Sequence, residues 1–96
     1  MNRPPVNQTL LAKQPAAQST ERFRGTVQHV DVVSREITVL RNNVAIVFDV
    51  GPHCQIVLRG ERIKLRMIQP RDEVHISFVR RGPLWVAHRV EVQPGA

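Results

Sequence analysis

From Phe23 onward the chain is cut into short runs of β-branched and aliphatic residues, each closed by residues that favour turns. No other feature restricts its fold as strongly. "FRGTVQHVDVV" (23–33), "REITVLR" (35–41), "VAIVFDV" (44–50), "EVHISFVR" (73–80) and "LWVAHRVEV" (84–92) place apolar residues largely at period two, the pattern of half-buried strands. Gly25 inside the first run marks a bend or bulge of the kind that curls a sheet. Ser34 makes the first turn, and Asn42-Asn43 tolerates positive φ and reads as a tight hairpin. Gly51-Pro52 is expected to end the third strand, and "QPRDEV" (69–74) to launch the fourth. Between them, "CQIVLRGERIKLRMI" has no regular period; a turn falls at Gly60, and Ile63, Leu65 and Ile68 can cap one end of a barrel. Five strands with a non-strand insertion between the third and fourth predict an all-β, five-stranded Greek-key barrel of the OB type, with an SH3-like barrel as the competitor.

A chain of 96 residues has room for one core. Aromatics are only 4% of it, so Val, Ile and Leu must fill that core. Residues 1–21 are rich in Pro, Gln, Asn, Ala and Thr and lack apolar periodicity, which predicts a flexible arm before a barrel over 22–93 and a short tail at 94–96. The lone Cys54 excludes an intramolecular disulfide. No signal-type apolar segment or stretch of membrane-spanning length occurs, so the expected setting is cytoplasmic, with no membrane partner.

A net charge of +6 draws such a chain toward polyanions. Most of the cations are arginine, whose planar fork makes bidentate phosphate contacts and stacks on bases. The final hairpin concentrates these groups in "FVRRGPLWVAHRV". Strand four puts Val74, Ile76 and Phe78 on one face, and strand five Leu84, Val86, Val90 and Val92. A three-residue loop, Gly82-Pro83-Leu84, pairs Arg81 with Trp85 and sets Phe78, Ile76 and Val74 opposite His88, Val90 and Val92. His75 then meets Glu91 and Ser77 meets Arg89, while Trp85 faces outward beside Arg81. His88 becomes a core histidine.

An outward indole among arginines is what single-stranded nucleic-acid sites use, a stacking plane with cations that follow the phosphates. The first expectation is therefore a non-enzymatic binding module for single-stranded DNA or RNA, with Trp85 stacking and Arg80, Arg81 and Arg89 on phosphates. The alternative is a protein-interaction or assembly module, pairing with a partner or a second copy through the apolar outer face of strands two and three, at Leu40, Ala45 and Val47. Arg35, Arg41, Arg59, Arg62, Lys64 and Arg66 are read as a solvated surface. His53 beside Cys54, with His29, His75 and His88 elsewhere, lacks the repeated spacing of a metal site, and no cofactor is expected. Ser77 and His75 share a strand face without an orienting carboxylate, so no nucleophilic site and no enzyme is expected. P-loop, dinucleotide-binding, helix-turn-helix and aromatic RNA-binding-sheet patterns are absent.

The order "GTVQHVD", "ITV", "FDV", "LRGERIKLRMIQPRDEVHISF" and "VAHRVEV" resembles a widespread bacterial family of small OB-like β-barrel domains of unknown function. The match covers residues 23–93 and lies in structural glycines and aliphatics, so it implies a fold and not an activity. It also implies Ala87 inward with Val90 and Val92, through a bulge near His88. More distantly, the chain is similar to periplasmic copper- and silver-binding OB domains. Those carry a Met-x-Met pair, a histidine and a tryptophan around strands two and three; "RNNVAIVFDV" has none of them, so copper binding is not implied.

Overall fold

The computed structural model describes residues 19–94. Its strands are β1 (Glu21–Asp31), β2 (Glu36–Arg41), β3 (Val44–Leu58), the short β4 (Glu61–Arg62), β5 (Glu73–Arg81) and β6 (Leu84–Gln93). One turn of 3₁₀ helix, Leu65–Met67, lies between β4 and β5. The sheet order is β2-β1-β5-β6-β3-β4, and a further β2–β3 pairing closes β2, β1, β5, β6 and β3 into a barrel, with the short β4 appended to β3. All neighbours are antiparallel except β3 and β6, which run parallel. The predicted all-β barrel of OB type is therefore the observed architecture.

The turns are those the sequence chemistry dictates. Asn42 and Asn43 take φ of +53° and +65°, the two positive values of a type I′ hairpin, and Arg59-Gly60 repeats the pattern at +54° and +82°. Asp31 accepts the Ser34 backbone N–H at 3.0 Å, which holds its carboxyl below the usual range. Strand β1 serves two neighbours in succession: Glu21–Thr26 pair with β5, and Thr26–Asp31 with β2. Gly25 stands at that hand-over, and Gln28 bulges between Val27 and His29.

The interior is apolar throughout. Val27, Ile37, Val39, Phe48, Val50, Ile56, Val74, Ile76, Phe78, Ala87, Val90 and Val92 fill it, and no polar side chain is buried among the described residues. Leu65 and Ile68 of the middle segment are buried in the same core, with Ile63 packed against it. The first eighteen residues of the arm expected over 1–21 lie outside the described residues, as do 95 and 96 of the tail; Glu21, assigned to that arm, already belongs to β1.

Four expectations are corrected here. Gly51-Pro52 does not end the third strand: β3 continues to Leu58, its pairing with β6 interrupted between Val50 and Gln55 and then resumed. What carries the chain through the irregularity is Arg35, expected to be simply solvated. Its carbonyl accepts the Val50 N–H at 2.9 Å, and its guanidinium donates to the carbonyls of Val50 at 2.9 Å and Gly51 at 3.3 Å. The last hairpin has a two-residue Gly82-Pro83 loop and not three, so Arg80 opposes Trp85 and Arg81 opposes Leu84. Gly82 at φ +57° supplies the first turn position, the sign pattern of a type II′ turn, which leaves proline free to follow. His88 is the extra residue of a bulge between Ser77 and Phe78; it is exposed and Ala87 is buried in its place, as the family resemblance implies.

Cys54 is buried against this core, and desolvation pushes its thiol up to about 11 despite the nearby Arg35 charge. At pH 8 the native protein is expected to react with a disulfide reagent far more slowly than in denaturant. Equal rates of colour release in the two conditions would refute the placement.

Candidate functional site

The bulge restores the pairing that the shorter loop displaces. Below it Ser77 faces Arg89, Ile76 faces Val90, His75 faces Glu91 and Val74 faces Val92. These are the partners expected from the hydrophobic alternation. Across the other edge of β5, Arg22 faces Ser77 and Arg24 faces His75. Partners in a pleated sheet share a face. Arg22, Arg24, His75, Ser77, Arg89 and Glu91 therefore stand together on the outer surface of β1, β5 and β6.

They line a cleft of about 490 Å³ that also takes in Phe23, Ile76 and Arg41. Arg41 arrives from the end of β2, and its guanidinium lies 5.6 Å from the centroid of the half-buried Phe23 ring. Four arginines thus converge on one cleft with a single carboxylate, Glu91. Arg89 is held by a bond from Nη1 to Gln55 Oε1 at 3.1 Å, which fixes its direction and leaves its charge uncompensated. Among the described residues none of these four makes a salt bridge; the one ion pair lies elsewhere, between Arg80 and Glu21. A concave surface with this excess of fixed cations focuses field lines and concentrates anions.

Of the residues expected to bind nucleic acid, the structure puts only Arg89 in this cleft. Trp85 turns toward the barrel rim and does not face outward beside Arg81. Its ring stacks on Phe78, with centroids 4.8 Å apart and planes at 7°, and meets Phe48 edge-on at 5.9 Å. Arg80 lies over the indole at 4.2 Å while its Nε and Nη2 donate to the Glu21 carboxylate at 3.1 and 3.2 Å. The indole surface is engaged from within the molecule, and Arg80 is fixed between ring and carboxylate. Arg81 is exposed beside the loop. On the alternative face Leu40 pairs with Ala45 and Thr38 with Val47, Val47 being half exposed.

Arg22, Arg24 and Arg41 were not singled out by sequence reasoning. The available signal is "RFR" at 22–24, cations two apart on either side of an inward aromatic, which is strand alternation with both charges on one face. It becomes a site only once β1 is paired to β5, a contact about fifty residues distant in the chain.

Among the described residues no three of His, Cys, Asp and Glu come together, and no hydrogen bond joins Ser77 to His75. No described helix is long and apolar enough to cross a membrane.

No protein-family model and no curated protein matches this chain. Solved structures do. It is similar to silver-bound CusF, with a TM-score of 0.64 and 20% identity over 77% of this chain and 97% of that one. It is likewise similar to apo-CusF residues 6–88 from Escherichia coli, with a TM-score of 0.67 and 19% identity over 86% of this chain and 98% of that one. At that identity the likeness fixes the fold, and the distant similarity to copper- and silver-binding OB domains read from the sequence is present in the structure as a shared OB-like barrel.

Proposed function

We propose that this chain is a small non-enzymatic binding module whose ligand is single-stranded nucleic acid, held in the cleft of Arg22, Arg24, Arg41 and Arg89. The observation that carries the reading is that convergence of four arginines, none in a salt bridge among the described residues, on one concave face with a single carboxylate. Guanidinium forks suit phosphate oxygens. The cleft moves the site from the tip of the last hairpin to its base, with Arg89 common to both. The silver and copper named for the structural neighbours belong to those proteins. Here the sulfur of Met67 is on the 3₁₀ helix, Cys54 is in the core and Trp85 is at the rim.

Fluorescence anisotropy of a labelled single-stranded oligonucleotide tests the reading. Binding at low salt should weaken steeply as salt rises. If all four arginines meet phosphates, the slope of log K against log salt is about −3. Arg24→Ala should weaken binding and lower that slope by roughly one, whereas Arg59→Ala at the β3–β4 turn should do neither. Trp85 emission should hold steady through the titration, and quenching with an unaltered Arg24→Ala curve would return the site to the hairpin tip. No binding at submillimolar oligonucleotide would refute nucleic acid.

A second reading rests on the exposed Ala45 and Val47, which share one face of the β2–β3 hairpin with Leu40. It supports a protein partner or a second copy of the chain, in a salt-tolerant complex that Val47→Arg dissociates.

A further inference from the structure

The same cleft holds a group that works against phosphate. Glu91 lines it, exposed, opposite His75 and two residues from Arg89 on β6. A carboxylate among arginines usually ends as an ion pair, which would make it a structural counter-charge. Among the described residues Glu91 makes no ion pair and no hydrogen bond, although four arginines share its cleft. Its oxygens are acceptors only, and every lone pair remains open to a ligand.

A ligand that fills the cleft must therefore bring negative charge to the arginines and a hydrogen-bond donor to Glu91. On single-stranded nucleic acid the donors are on the base edges. Cytosine and adenine offer exocyclic amino groups, and guanine offers a ring N–H beside an amino group, a pair that matches a carboxylate. Thymine and uracil offer one ring N–H flanked by two carbonyl oxygens, which meet a carboxylate as like partial charges. We propose, building on the nucleic-acid reading above, that Glu91 sets base preference in the cleft, admitting bases that carry an exocyclic amino group and disfavouring thymine and uracil. The arginines hold the backbone, and Glu91 reads the edge.

Competition between unlabelled oligonucleotides of equal length at constant salt tests this, with oligo-dC, oligo-dA and oligo-dT against the wild type and Glu91→Gln. One carboxylate-to-base contact on an exposed strand corresponds to about a five- to tenfold preference. Wild type should therefore prefer dC and dA over dT by that factor. Glu91→Gln keeps shape and removes the charge, and its amide can donate to a carbonyl, so the preference should collapse mainly through tighter dT binding. Simple loss of a negative charge would strengthen all three equally, so the ratio isolates recognition from field. Equal wild-type affinity for dT and dC, or a ratio unchanged in Glu91→Gln, overturns the role of Glu91 while leaving the cleft standing. Failure of all three oligonucleotides to bind removes the cleft reading and this one together.

Discussion

Phe48→Ala should cost about 3–5 kcal/mol, the range for truncating a fully buried phenylalanine whose cavity cannot collapse. Its ring is completely buried, 5.4 Å from that of Phe23, 5.1 Å from Phe78 and 5.9 Å from Trp85. Those three aromatics arrive from β1, β5 and β6, while Phe48 lies on β3. Removing it therefore loosens the barrel where several strands meet, instead of at one seam. A domain of this size is stable by only about 5–10 kcal/mol, so most of that margin would go. Urea melts followed by far-UV dichroism and by Trp85 emission should both shift to much lower denaturant, and the native emission should move to the red as the indole loses a neighbour. A loss below about 1 kcal/mol would mean that Phe48 is not the hub the contacts make it. Oligonucleotide binding by the fraction still folded should be weakened less than by Arg24→Ala, because Phe48 touches no phosphate.

Five of the six strands, the third as far as Val50, and their order along the chain were legible because each rests on local alternation and on turn residues with a specific backbone demand. Asn42-Asn43 is such a case, and both residues adopt the positive φ expected of them. The aromatic cluster was not legible. Phe23, Phe48, Phe78 and Trp85 account for all the aromatic rings in the sequence and lie on four strands, so their meeting depends on closure of the barrel. The hairpin shows the limit most clearly. A two-residue loop with a bulge and a three-residue loop without one give the same partners below the bulge, at His75–Glu91 and Ser77–Arg89, and opposite placements above it. Alternation cannot choose between them, since it is satisfied by either up to the point where His88 or Ala87 must point inward. Packing chooses: Ala87 enters the core without burying a polar ring, and Trp85 gains the stacked contact with Phe78. The candidate site moved with that choice.

Gly25→Val carries the second large effect, and it joins fold to site. A Cβ at Gly25 would press on the Leu40 carbonyl oxygen at less than any normal contact distance and would stand 2.8 Å from Cγ1 of Val39. The first obstacle is backbone, so a rotamer change cannot relieve it, and β2 must move away from β1. That is the point at which β1 passes from β5 to β2, and it is flanked by Arg24 and Arg41. Overpacking of this kind costs about 1–3 kcal/mol for alanine, with valine at or above the upper end. Displacing β2 also carries Arg41 away from Phe23 and widens the cleft. Gly25→Ala, the milder variant, should therefore lose oligonucleotide affinity at a temperature where it remains folded, beyond what its stability loss explains. Gly51→Ala provides the contrast, since nothing lies within 4 Å of the added methyl group, and its stability and binding should both stay near wild type. If the two alanine variants melt together, β1 and β2 are not in the close contact from which the cleft is built. If Gly25→Ala is destabilised yet binds normally when folded, the position of Arg41 does not matter to the ligand, and the site reduces to the outer face of β1, β5 and β6.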